Sequence, residues 1–458
     1  GDLYTFLATT RETDFDFNFF DFFLPVNGGP PPHYHPFEQE IWYVTDGEFQ
    51  FNFGDLDLSD PNNPTTEIEV IVSEGTTVFG PIDRFHGYRN LDSEASVIGE
   101  TPGARTLAMT TPGALDLFFE AAATRVVDRD DPIPAFPGPT PQDFINLAKF
   151  EARTNAGIIL GQLDPDYEPP EETLDYVLVI PDDASEDLIN QARSLVGTEG
   201  LSIWSTAEVE GIPQRPTSVG EFGIEYTSLV NFEESGGEFS YNQFSLAPQP
   251  TEDFPEPEVS EDHQLFYVNE GTLSLEVNGE VETVGKDTFA YVAPGNEYAI
   301  ANFNEGTVES LAITVEDIAP PPSPEEVFES PISAESSVLP QRVEFLGSEG
   351  NYFRESDNPN SYRYLFDDAP GFTDYVEDPV TVDGIEFEGT FVNAAINPGT
   401  GELLFANGAY RVPTGRLGQP DSLVEIYRED YRVAGFEDGV IGQYFFDSPQ
   451  PLETVPDT

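Results

Sequence analysis

Ile41-Trp42-Tyr43-Val44-Thr45-Asp46-Gly47 is echoed far downstream by Leu265-Phe266-Tyr267-Val268-Asn269-Glu270-Gly271. Each copy runs into an alternating strand, residues 48–53 (EFQFNF) and 272–277 (TLSLEV), with an apolar residue at every second position. Each is then followed by a proline-containing turn that ends in Asn: Pro81 to Asn90, and Pro294 to Asn302. Two copies of one β-barrel unit is the economical explanation. Residues 225–229 (EYTSL) alternate in the same way. Helical patterns are few: residues 113–123, 140–152 and 185–196, the last with Ser185 as N-cap and Leu188, Ile189, Ala192 and Leu195 on one face. Strand patterns at 176–180 and 201–205 flank that helix.

Proline-rich breaks at 131–141, 247–257 and 319–324 read as linkers or long loops, because proline cannot donate to a sheet ladder. The expected architecture is mainly β. An N-terminal barrel spans 1–125, and a partly helical connector with a small strand–helix–strand unit spans 126–212. A second barrel covers 213–318, a proline-rich linker 319–338, and a C-terminal β-rich module of unknown role 339–458.

Just before the first copy stands Gly28-Gly29-Pro30-Pro31-Pro32-His33-Tyr34-His35-Pro36-Phe37-Glu38-Gln39-Glu40. His33 and His35, two apart on a strand, point to one face, so both imidazoles can reach one point inside a barrel. Glu40 lies an odd number of residues from His35 and would face the other way on an unbroken strand. Pro36 forbids a regular ladder there, so a bend can turn Glu40 inward. Gly75 to His86 brings a third imidazole back by way of a turn. Three imidazoles and one carboxylate form a mixed nitrogen/oxygen set suited to one divalent transition metal: Fe, Mn, Ni, Cu or Zn.

These residues resemble the two sequence motifs of the cupin superfamily. The first is met by His33, His35, Glu40 and Gly47, and the second by Gly75, Pro81, His86 and Asn90, with Asp83 where a turn glycine is usual. Two such units make the chain similar to bicupins, and the Gly-Gly-Pro-Pro-Pro-His run most resembles quercetinase-like cupins. The resemblance implies two double-stranded β-helix barrels. It also implies a metal held by His33, His35, Glu40 and His86, with Glu40 as the catalytic proton acceptor of a mononuclear non-haem dioxygenase acting on a small aromatic or enol-bearing substrate. Phe37, Trp42, Tyr43, Phe79 and Phe85 flank the motifs. Ordinary barrel core is the expectation for most of them.

The second copy departs where it matters. Aligned on Gly271, the Glu position is Gln264 and the two His positions are Pro257 and Val259. Aligned on Pro294 and Asn302, the last His is Tyr298. The second barrel is therefore expected to be a metal-free scaffold, with His263 one position off, lacking partners, a surface or structural residue.

Composition narrows the function. The chain of 458 residues has 18 Lys+Arg against 86 Asp+Glu, a net charge of −68, and no Cys. With two Lys, there is no basic face to neutralise phosphates, so nucleic acid is not an expected partner. No apolar run reaches a membrane-spanning length, so integral membrane contact is not expected either. Absent thiols exclude disulfides and thiolate-based metal sites. The acidity fits a solvated surface in high salt. Acidic stretches at 55–60, 128–131 and 164–172 are candidates for Ca²⁺, although none has the spacing of an EF-hand loop. An extracellular or periplasmic location, or the cytoplasm of a salt-adapted organism, is consistent with this charge and with Gly1 at the start. The alternative to an enzyme is a secreted acidic structural protein, a surface-layer or filament subunit. Such a protein would self-associate, with Ca²⁺ assisting and the Phe-rich stretch 15–23 available for strand addition.

Overall fold

A computed structural model describes residues 2–54 and 68–126 with short interruptions (31–34 and 36–37 among them), residues 174–317 apart from 251–252, and short pieces beyond, of which 343–344, 351–356 and 361–364 join the two main sheets. The acidic stretches 55–60 and 164–172, most of 128–131, and the helical pattern at 140–152 lie outside the described residues. So do His33, Phe37 and the Phe85 side chain.

The first barrel is built from β1 (Asp2–Ala8), β2 (Asn18–Pro25), β3 (Gln39–Asp46), β4 (Glu48–Gly54), β5 (Ile68–Ser73), β6 (Thr77–Gly80), β7 (Phe85–Asn90), β8 (Ser96–Ile98) and β9 (Thr101–Thr111). One wall runs β1-β2-β9-β3-β6 and the opposite wall β5-β4-β7. β10 (Thr124–Val126), β11 (Tyr176–Ile180), helix α1 (Glu186–Leu195) and β12 (Leu201–Ser205) follow. The second barrel uses β13 (Thr217–Val219), β14 (Glu225–Val230), β15 (Phe239–Leu246), β16 (Glu258–Val259), β17 (His263–Glu270), β18 (Thr272–Val277), β19 (Glu280–Gly285), β20 (Thr288–Val292), β21 (Glu297–Ala301) and β22 (Val308–Val315). Its walls are β14-β15-β22-β17-β20 and β16-β21-β18-β19. The strand β23 (Val343–Glu344), with β24 (Tyr352–Glu355), extends its larger wall, while β25 (Ser361–Tyr364) pairs with β1 and β10 of the first barrel.

The two walls correspond register for register. Glu40 lies opposite Gly80 and Thr110, as Gln264 lies opposite Val292 and Thr314. His86 lies opposite Phe53, as Tyr298 lies opposite Val277. Gly47 and Gly271 turn β3 into β4 and β17 into β18 at φ 87° and 83°, a region where a side chain is strained. A Cβ on Gly47 would meet Ala104 at 2.4 Å and one on Gly271 the Thr307 carbonyl oxygen at 2.6 Å.

Alternation explains β4 and β18, but β3 and β17 read as unbroken apolar runs because both of their faces are buried. Trp42 and Val44 face the interior of the first barrel with Phe51, Phe53 and Tyr88. Ile41, Tyr43, Phe79 and Met109 face the opposite way, onto Tyr241, Leu265, Tyr267, Phe289 and Ile313 of the second barrel. The flanking aromatics Trp42, Tyr43 and Phe79 are thus core, the first inside the barrel and the other two in the seam between barrels. Asp21, fully buried there, is held ionised below the usual carboxylate range. Burial opposes this, but the Arg105 guanidinium, 2.5 Å away, outweighs it.

Three expectations change. The strand–helix–strand unit forms, with the Ser185 hydroxyl accepting from the Leu188 amide, but it is no free connector. β11 pairs with β6 and covers that edge of the first barrel. Three short strands of the C-terminal third, β23, β24 and β25, likewise extend the two barrels, whereas the other strands described there (380–382 with 385–387, 394–396 with 403–405, 411–413 with 423–425) pair only as separate two-stranded sheets. Third, β2 is paired on both sides, by β1 and β9, so residues 18–23 of the Phe-rich stretch offer no edge to a neighbouring chain. At the barrel base, Leu115 and Phe119 are helical and buried, one turn apart, with Phe119 stacked on Tyr4 at 4.0 Å. Among the described residues no helix is long and apolar enough to cross a membrane.

Candidate metal centre

Glu40 stands on β3 on the same inward face as Trp42 and Val44. His35 lies just before that strand, on the far side of Pro36, and His86 enters from β7 on the opposite wall. The three donor atoms lie within 4.8 Å of one another, and the side chains are 1%, 3% and 1% exposed for His35, Glu40 and His86. His35 Nε2 is 3.1 Å from Glu40 Oε2, and His86 Nε2 is 3.6 Å from the same oxygen. The rings are nearly parallel, 5.4 Å apart. His33, the fourth expected ligand, lies outside the described residues.

The far side of each imidazole fixes its orientation. His86 Nδ1 is 3.0 Å from the Arg84 carbonyl oxygen, which can only accept. Nδ1 therefore carries the proton and Nε2 presents its lone pair to the centre. His35 Nδ1 is 3.4 Å from the carboxylate of Glu38, itself buried. The sequence reading missed Glu38. Its spacing, three residues after His35, was the available signal, but nothing in that spacing says the carboxylate turns back onto the ring. Trp42 packs edge-on against His86 at 4.9 Å and against Tyr88 at 5.4 Å, which limits ring motion.

Electrostatics follow from this packing. Burial pushes the His86 pKa down, keeping it neutral. For His35 burial acts in the same direction but loses to the hydrogen bonds and charges of Glu38 and Glu40, which raise it to about 9. Glu40 is held down at about 2: burial would raise it, but His35 and His86 prevail. With no metal, the carboxylates thus retain a proton on His35. A buried site that demands a cation, with two imidazoles and a carboxylate turned to one point, fits a divalent metal by donor chemistry.

The corresponding positions of the second barrel are closed. Tyr298 packs against Phe266 at 5.9 Å and Phe222 at 5.4 Å inside an apolar cluster with Leu275, Val277 and Val292. Gln264 spends its amide on Ser260 and Thr314. Val259, at the place of His35, is exposed on β16. His263 corrects the expectation that it lacks partners. It is buried, with Nε2 2.7 Å from Asp16 Oδ2 and Nδ1 2.8 Å from Tyr291 Oη.

The family model described as "Cupin domain" matches this chain twice, at residues 20–98 and 246–314, within the two barrels. The chain therefore carries two stretches that match the cupin domain, one in each barrel. Solved structures similar to it include AerE from Microcystis aeruginosa, at 10% identity over 66% of this chain and 88% of that one, with a TM-score of 0.34. Protein Ylba from E. coli is similar at 11% identity over 69% and 83%, TM-score 0.38. A variant of oxalate decarboxylase OxdC from Bacillus subtilis is similar at 15% identity over 68% and 72%, TM-score 0.37. Among curated proteins nothing matches this chain.

Proposed function

We propose that this protein is a metal-dependent bicupin enzyme whose single metal sits in the first barrel, held by His35, Glu40 and His86 with His33 as fourth ligand. Its class is a mononuclear non-haem dioxygenase, quercetinase-like, acting on a small aromatic or enol-bearing substrate. One observation carries the reading: two imidazoles, each oriented by a partner on Nδ1, turn Nε2 toward the same Glu40 oxygen inside a closed barrel. When bound, the metal would supply Lewis acidity and one-electron reach toward O₂. Glu38 and the Arg84 carbonyl hold the imidazoles in place. Burial keeps bulk water from the centre, and Glu40 Oε2, already beside a titratable imidazole, is the atom that accepts a substrate hydroxyl proton. The Gly28-to-His35 resemblance to quercetinase-like cupins supports the substrate class.

Metal analysis of the purified protein, combined with oxygen uptake on flavonols, tests this. Stoichiometric Fe, Mn, Ni or Cu with uptake abolished in His86→Ala is the expected result. A second reading, a secreted acidic structural subunit, draws on the net charge of −68, which the enzyme reading does not use. Ca²⁺-dependent polymers without turnover would favour it and end the dioxygenase reading.

A further inference from the structure

The seam between the barrels brings together a second set of donors that neither cupin motif contains. Asp16, just ahead of β2 in the first barrel, meets His263, the first residue of β17 in the second. Asp317 follows the end of β22, whose Val315 is the register partner of His263. One donor atom from each of Asp16, His263 and Asp317 lies within 4.8 Å of the others. Asp16 and His263 are buried at 3% and 4% exposure, while Asp317 is open to solvent.

The imidazole is held before any ion arrives. Its ring lies edge-on to Phe17 at 5.4 Å and nearly parallel to Tyr291 at 5.8 Å, both residues of the seam core. Tyr291 Oη lies 2.8 Å from Nδ1 and Asp16 Oδ2 2.7 Å from Nε2, so the ring is held from both sides with Nε2 turned toward the carboxylates. A divalent ion entering there would take the Nε2 lone pair, displacing any proton it carries, and would bridge the ring to both carboxylates. Imidazole nitrogen with two carboxylate oxygens, and an open side for water, suits a borderline cation such as Zn²⁺ or Mn²⁺ better than Ca²⁺, which prefers an all-oxygen shell.

We infer that Asp16, His263 and Asp317 form a second divalent-metal site that clamps the two barrels together, independent of the first-barrel centre. The probe is Zn²⁺, titrated calorimetrically in high salt into chelator-treated protein, with melting followed in parallel. Wild type is expected to take two equivalents, and His86→Ala one. Zn²⁺ should raise the melting temperature of His86→Ala by several degrees, since binding to the folded state alone stabilises it. Asp317→Asn leaves the buried Asp16–His263 pair intact. In the His86→Ala background it should weaken the remaining site by about tenfold or more and remove the melting shift. Wild type carrying Asp317→Asn should retain one equivalent.

His86→Ala protein that takes up no Zn²⁺, or Zn²⁺ uptake left unchanged by both Asp317→Asn and His263→Gln, overturns the inference and leaves a plain His–Asp hydrogen bond. If instead wild type binds one equivalent and His86→Ala still binds one, the first-barrel reading fails while this site stands.

Discussion

The two barrels share a frame and differ in what fills it. Asn90 donates its side-chain amide to the carbonyls of Leu24 and Asp92 and accepts from the Asp92 amide. Asn302 does the same with Leu246, Gly306 and Asn304. The turn glycines Gly47 and Gly271 are likewise equivalent. Yet at matched register, the positions of Glu40, Trp42 and His86 in the first barrel are taken by Gln264, Phe266 and Tyr298 in the second. The residues retained in both copies close backbone hydrogen bonds that any such barrel needs. Those that differ are side chains projecting into the interior. A polar interior must be compensated by charge, and an apolar one by packing, so the second barrel remains a stable fold after losing its donors.

The sharpest break in that symmetry is expected from removing one ligand. His86→Ala should lower first-barrel metal affinity by about a hundredfold or more, whereas Tyr298→His in the second barrel should create no site, because Gln264 and Val259 supply no partners. Metal content per chain measures both. A first barrel that retains full metal without His86 would sink the ligand assignment.

Next in size is the packing counterpart. Phe266→Ala should destabilise the protein by about 3–5 kcal/mol, as expected for deleting a buried ring, and leave metal content unchanged. Chemical denaturation gives the first quantity. Equal loss of metal would mean the barrels are not separable in this respect.

The titration of the His35–Glu40 pair should also set the first barrel apart. In chelator-treated protein His35 has its pKa raised from 6.5 to about 9, so its stabilisation is complete below 6.5 and lost as pH rises through 9. Glu40, lowered from 4.5 to about 2, contributes fully above 4.5 and loses its contribution as pH falls through 2. Stability from this cluster is therefore greatest between pH 4.5 and 6.5, and it should fall by roughly 2–3 kcal/mol on the alkaline side. Glu40→Gln should flatten that alkaline decline, since Gln264 already shows the neutral arrangement in the other barrel. Urea unfolding at pH 6 and pH 9.5 decides the matter.

The smallest expected effect falls on Glu38. Glu38→Gln removes the charge behind His35 while keeping its shape, and should weaken metal binding by about tenfold to a hundredfold without abolishing it. A loss as complete as that of His86→Ala would make Glu38 a ligand rather than an orienting group.

Much of this was legible from residue order. The echo of residues 41–47 at 265–271, the alternation in β4 and β18, and the N-cap at Ser185 all rest on contacts within one strand, hairpin or helical turn, which local periodicity records. That a proline separates His35 from Glu40 was readable for the same reason, and the two side chains do meet despite their odd spacing. Periodicity has no term for partners in another barrel. The unbroken run Ile41 to Val44 gave strand identity but not the second face it buries, and the assignment of His263 as partnerless failed because Asp16 is 247 positions away. The edge role of β11 and the insertion of β25 beside β1 were hidden likewise.

The amino-acid sequence by itself determined two β-barrel units, one carrying imidazoles and a carboxylate at motif spacing and one without, because those features are set by neighbours a few bonds apart. Tertiary structure alone decided that both Nε2 atoms turn to one Glu40 oxygen, that Glu38 stands behind His35, and that Asp16 meets His263 across the seam. Such meetings depend on how separate walls pack, and packing is a property of surfaces brought together only when the whole chain has folded.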